Sequence, residues 1–142
     1  MSGAASLEAP ALEASAPCPC GGGAAYGECC GPLHAGDPAP TAERLMRSRF
    51  SAFALGLGDY LFETWDGATR PERAELDPDP ELRWQRLVVH DTTAGGPSDE
   101  AGFVTFTAIA RGPEGRVELR ERSRFARSGE ERRWRYVDGV VE

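Results

Sequence analysis

Four cysteines, Cys18, Cys20, Cys29 and Cys30, are the only thiols in the chain, and they sit in one short stretch. They form two close pairs separated by the loop Gly21-Gly22-Gly23-Ala24-Ala25-Tyr26-Gly27-Glu28. Thiols placed this way have two uses. Cys18 and Cys20 can grip a zinc ion from one side while Cys29 and Cys30 close the tetrahedron from the other. Alternatively the four can pair as disulfides, but bridging the neighbours Cys29 and Cys30 strains the bond. Cross-pairing avoids that strain and calls for an oxidising compartment. The glycines on either side let the backbone turn amide N–H groups toward the sulfurs. That eases the net negative charge which four thiolates leave on one Zn2+. The expectation is one structural zinc ion, because four thiolates leave no open position for a water. Were a cysteine displaced, His34 is the nearest spare ligand. Its Gly/Pro-dense surroundings, Gly31-Pro32-Leu33-His34-Ala35-Gly36-Asp37-Pro38, instead suggest a solvated linker histidine.

A second set of residues could do chemistry behind that motif. Along Arg116–Arg127, alternation puts Val117, Leu119, Glu121, Ser123 and Phe125 on one face. Glu121 and Ser123 therefore sit among apolar neighbours. Trp134, Tyr136 and Asp138 share a face of the next segment by the same count. Arg49 falls on the apolar arc of a helix, with Leu45, Met46, Phe50, Phe53 and Leu57, while Arg47 and Ser51 project away from it. A buried arginine needs an anionic partner or water. The expectation is a pocket lined by Arg49, Glu121, Ser123, Trp134 and Tyr136, with an Arg49–Glu121 ion pair inside it. Such a pair can be purely structural or part of a ligand site. Glu121, Asp138 and Tyr136 are the weak catalytic candidates, as carboxylates beside a tyrosine donor.

The elements that must position these groups change period partway along the chain. Residues 1–17 are rich in Ala, Ser and Pro and are expected to form a disordered leader. Thr41 is a suitable N-cap for a helix reaching Leu55, which Gly56 and Gly58 break. Asp59 is expected to cap a second helix ending near Trp65. Strands are expected over Trp84–Asp91, Glu100–Arg111, Arg116–Arg127 and Arg132–Val141, the last three joined by tight turns. Helices followed by strands give an α+β domain, its helices packed on one face of a curved antiparallel sheet.

The pattern Cys18-Pro19-Cys20-Gly21, Tyr26, Cys29-Cys30-Gly31 resembles the SEC-C zinc motif, which also occurs at the tail of the SecA translocation ATPase. Leu45-Met46-Arg47-Ser48-Arg49-Phe50-Ser51-Ala52-Phe53, Asp59-Tyr60-Leu61 and Thr64-Trp65 resemble the YchJ-like family, as do Glu121-Arg122-Ser123-Arg124-Phe125 and Trp134-Arg135-Tyr136-Val137-Asp138-Gly139. The resemblance covers residues 18–139. It implies a SEC-C-like zinc knuckle over 18–34 and, over 41–142, a cone-shaped domain of the nuclear-transport-factor-2 (NTF2) type. The family has no assigned activity. The loop between the cysteine pairs departs from the SEC-C pattern in carrying no lysine, and Asp66 stands where many relatives have histidine.

The formal net charge of −7 argues against non-specific nucleic-acid binding by the whole molecule. All sixteen basic side chains are arginines. Arg116, Arg120, Arg122 and Arg124 line one strand face, and Arg133 and Arg135 could extend the ridge. Glu118 and Glu131 are at hand to pair with it. No signal-peptide pattern or membrane-length apolar run is present, which places the expected location in the cytoplasm. The sequence thus suggests a zinc-binding module acting in protein interaction or small-ligand binding. Two alternatives are an isomerase or dehydratase working in the cone, and a ribosome or nucleic-acid adaptor using the arginine face.

Overall fold

The computed structural model of the chain describes residues 12–142. Most of the expected leader, residues 1–11, lies outside the described residues. Residues 12–17 are laid against the cysteine loop: Tyr26 N–H donates to Ala16 O at 2.7 Å and Gly27 N–H to Ala14 O at 2.9 Å. A Cβ at Gly27 would stand 2.6 Å from Ala14 Cβ, so a glycine is needed for this close approach. Residues 14–16 therefore pack against the knuckle.

Three helices follow: α1 (Cys30–His34), α2 (Ala42–Leu55) and α3 (Gly58–Glu63). α1 lies in what reads as linker. Pro32 is tolerated there because it sits in the first turn, where a backbone N–H has no helical partner to lose. α2 begins as expected, with Thr41 Oγ1 accepting from Arg44 N–H at 3.1 Å. It ends at Gly56, whose φ of 75° is the left-handed conformation of a helix C-terminus. α3 starts one residue before Asp59, and no side chain caps it. Asp59 instead accepts from Arg73 Nε at 2.8 Å.

The sheet is an antiparallel meander in the order β1 (Arg83–Ala94), β2 (Ala101–Gly112), β3 (Gly115–Ser128) and β4 (Arg133–Val141). The last three strands lie close to their expected spans, and β1 runs on to Ala94. Register shifts in β1, at Gln85 and at His90, increase its local twist. Val104, Phe106 and Ala108 of β2 point toward the helices. There they meet Leu45, Met46 and Phe50 of α2 with Leu87, Phe125 and Trp134 in one buried core. Helices on one face of a curved antiparallel sheet make this the expected α+β cone, with a cysteine knuckle in front. Among the described residues, no helix is long and apolar enough to cross a membrane.

Candidate functional site

The cysteine loop closes on itself. The four Sγ atoms all lie within 4.8 Å of one another, and the cysteines are buried. The sulfurs of Cys20 and Cys29 are 3.5 Å apart, well beyond a disulfide bond. Zinc–sulfur bonds of about 2.3 Å place the corners of a tetrahedron about 3.8 Å apart, so the donor set fits such an ion. The thiol electrostatics point the same way. Burial and the adjoining Cys20 push Cys29 up to about 11. Hydrogen bonding with Cys18 and Cys20 raises Cys30 further, and burial adds to it. Cys18 is lowered, because Cys20 and Cys30 hydrogen-bond to it. Burial and crowding thus oppose deprotonation of Cys29 and Cys30, a cost that a bound metal ion would offset.

α2 supplies the support around the sulfurs. Ser51 Oγ donates to Cys30 Sγ at 3.3 Å and lies 3.7 Å from Cys18 Sγ. Arg44 Nη2 donates to Cys29 O at 2.9 Å and Arg47 Nη1 to Cys20 O at 3.3 Å. Two guanidinium groups thus stand beside the cysteine cluster and hold its backbone. Arg47 and Ser51 do project away from the cone core, as expected, but they project onto the knuckle rather than into solvent.

His34 is not a solvated linker residue. Its Nε2 faces the Ser48 carbonyl at 2.8 Å, so that nitrogen carries the proton, and Nδ1 accepts from Tyr26 OH at 2.7 Å. Both ring nitrogens are engaged, and neither is spare for a metal. Burial lowers the His34 pKa.

Behind α2, a cavity of about 240 Å3 opens between the helix and the sheet. Arg49, Glu121, Ser123 and Tyr136 line it, with walls that include Phe50, Phe53, Trp84 and Phe106. The expected Arg49–Glu121 ion pair is not made. Arg49 Nη1 donates to Leu61 O at 2.9 Å and Thr64 Oγ1 at 2.7 Å. Its guanidinium carbon lies 4.8 Å from the Tyr136 ring centre and 5.3 Å from that of Trp65. Burial brings Arg49 down to about 10, which still leaves it charged at neutral pH. Glu121 Oε2 accepts instead from Ser123 Oγ at 2.6 Å and Tyr136 OH at 2.9 Å. A Cβ at Gly139 would collide with that carboxylate, so the glycine makes its seat. Burial, reinforced by the Glu121 charge, holds the Tyr136 phenol above its ordinary value.

One expected lining residue, Trp134, and one catalytic candidate, Asp138, lie elsewhere. Trp134 is buried in the core, and Arg127 stacks on its ring at 4.7 Å. It borders a different, wider cleft toward the knuckle. Asp138 is on the outer face, where it pairs with Arg124 at 2.8 Å and takes no part in the cavity. The cause is a bulge. Arg124 pairs with Asp138 and Phe125 with Tyr136, leaving Val137 as an extra residue that reverses the alternation. Arg124 accordingly lowers the Asp138 pKa. Sequence reasoning included neither Gly139 nor Trp65 in the site. Both belong to the motifs that carry the family resemblance.

The arginine face is mostly paired. Arg116 bonds Glu118 at 2.8 Å, Arg120 bonds Glu142 at 3.0 Å and Arg133 bonds Glu131 at 2.9 Å. Arg122 lies over the Phe103 ring at 3.9 Å, and Arg135 donates to the Glu63 carbonyl at 3.3 Å. His90 is exposed, 2.8 Å from Thr107 Oγ1.

A cone enclosing a cavity, fronted by a buried four-cysteine knuckle, defines a SEC-C motif protein with an NTF2-like domain. Residues 41–139 match the family described as "YchJ, middle NTF2-like domain". A UPF0225 protein of Corynebacterium efficiens is 51% identical over 125 residues, covering 87% of this chain and 92% of that protein. One from Streptomyces coelicolor is 48% identical over 124 residues, 87% of this chain and 94% of that protein. The solution structure of a SEC-C motif containing protein from Rhodopseudomonas palustris superimposes with a TM-score of 0.73 at 33% identity, covering 88% of this chain and 98% of that one. The crystal structure of another from Psychrobacter arcticus gives 0.71 at 28% identity, over 91% and 85% of the two chains. The chain belongs to the YchJ-like, UPF0225 family.

Proposed function

We propose that this protein binds a small organic ligand in its cone and uses one structural Zn2+, held by Cys18, Cys20, Cys29 and Cys30, to fix the helix that forms the cavity wall. The carrying observation is the cavity itself. It is an apolar chamber in which Arg49, Glu121, Ser123 and Tyr136 converge, the composition of a site that recognises a small molecule. The zinc is assigned from the all-thiolate donor set, its spacing and the absence of room for a water ligand. With Asp138 paired on the outer face, a proton-transfer enzyme would have Glu121 as its one carboxylate in the cavity, so binding is the reading adopted. The paired arginines likewise favour a solvated sheet face over a nucleic-acid surface.

Elemental analysis of the purified protein checks the metal. One zinc per chain is expected, and stoichiometric iron or no metal would remove that assignment. The cavity is checked by a fragment screen that follows the indole N–H resonances of Trp65 and Trp84. Binders should shift both, and should lose affinity in Ala108→Leu, which fills the chamber. A screen in which no fragment moves either indole would sink the ligand-binding reading.

A further inference from the structure

The cavity wall carries donors with nothing to bind. Arg49 is 4% exposed, and among the described residues it makes no ion pair. Its two protein hydrogen bonds both leave from Nη1. A guanidinium has five N–H donors. The Nε and Nη2 groups of Arg49, which share one edge of the plane, make no hydrogen bond to the described residues. That edge is the one with which arginine grips a carboxylate through two parallel bonds. Beside it, Trp65 lines the same cavity, and its buried Nε1 also lacks a partner. Glu121, whose Oε2 accepts from Ser123 and Tyr136, favours the guanidinium by its charge but makes no hydrogen bond or ion pair with it. A charge taken out of water without a carboxylate partner is costly, and an anion entering the chamber would offset that cost.

We propose that the cone binds a small aromatic carboxylate, its two oxygens on the free Arg49 edge and its ring against Phe50, Phe53, Trp84 and Phe106. This rests on the cavity being a ligand site, as proposed above. The size sets the class. At about 240 Å3 the chamber falls below the 300–1,000 Å3 typical of drug-sized ligands, and it suits a single ring with a short acidic group. The aromatic walls favour a flat body over a branched one. Glu121 makes the chamber selective in a second way, since it repels an anion placed too near it and would welcome a hydrogen-bond donor at the far end of the ring.

Three probes of one shape test this: benzoate, benzamide and benzylammonium, titrated into the zinc-loaded full chain and followed by indole N–H resonances. Benzoate should bind best, about tenfold or more ahead of benzamide, shifting Trp65 while Trp134, outside the cavity, stays still. Replacing Glu121 with Gln removes the one negative charge in the chamber. It should tighten benzoate about threefold or more and weaken benzylammonium. Arg49→Lys keeps the charge without the fork and should lose most of the benzoate affinity. The Glu121→Gln sign keeps the test decisive even if the Arg49 variant does not fold. A preference for benzylammonium, or weaker benzoate binding in Glu121→Gln, would overturn the assignment and make the chamber a cation cage. Equal binding of the three probes would overturn the anion class but leave the ligand site standing. If neither these probes nor toluene binds, both proposals fail.

Discussion

The knuckle and the cone are two buried clusters on opposite sides of α2, and they are held together by different means. The cone has an apolar core of Leu45, Phe50, Val104, Phe106, Phe125 and their neighbours. The knuckle core is four cysteines and Tyr26, with Leu12 and Leu55 packed at its edge. One cluster is large enough to fold by removing hydrocarbon from water. The other is too small for that, and the proposed zinc would supply what hydrocarbon does not. Two domains' worth of folding logic thus meet on a single helix.

The sharpest way to break the comparison is to remove the metal. Replacing Cys20 and Cys30 together with alanine, or stripping the protein with a strong chelator, should cost the knuckle on the order of 10 kcal/mol of local folding free energy. Hydrogen exchange should then show the amides of residues 18–34 unprotected while those of β2 and β3 stay protected. Equal loss in both would mean that the cone also depends on the metal. The reverse perturbation is Phe125→Ala, expected to cost about 3–5 kcal/mol by emptying a fully buried core position. Thermal unfolding should shift strongly down while zinc content stays at one per chain. A smaller effect is expected at the junction: Thr41→Ala removes the cap of α2 and should cost about 1 kcal/mol, read by denaturant midpoint.

The smallest effect is a pH dependence located at the junction. His34 is faced by Tyr26, Tyr60 and the Ser48 carbonyl, with the guanidinium of Arg44 reaching the neighbouring Cys29 carbonyl. Burial keeps its folded pKa below the ordinary 6.5, so the unfolded chain takes up a proton first as pH falls. Stability from this group is present above 6.5 and is lost as pH drops through that value toward the folded pKa. Zinc-saturated wild type should therefore lose stability between pH 7 and 5.5 more steeply than His34→Gln. Parallel curves would show that the buried imidazole does not titrate in that window.

Much of this organisation was legible in the chain, and the exceptions have local causes. The cysteine spacing pointed to the cluster, and the switch from helical to alternating period gave the α+β cone. Arg49 stood out because a charge on an apolar arc is anomalous whatever its partner. Parity counting failed at Val137, since one bulged residue turns Asp138 outward, and alternation carries no sign of a bulge. The Arg49–Glu121 pairing was read from shared facing alone, whereas side-chain reach and the hydroxyls of Ser123 and Tyr136 decided the actual partners. His34 was misread because Gly/Pro density describes the backbone's habits and says nothing of a tyrosine and a carbonyl arriving from elsewhere to engage both ring nitrogens.

None of the residues of α2, Ala42–Leu55, is exposed. An ordinary surface helix keeps one side free to drift in sequence, and that drift is where relatives usually diverge. This helix has given up that freedom, because the side turned from the cone is occupied by the knuckle. Under random mutagenesis it should be intolerant at its eight buried positions on both sides, and small polar residues such as Ser48 and Ser51 should be as restricted as Phe50.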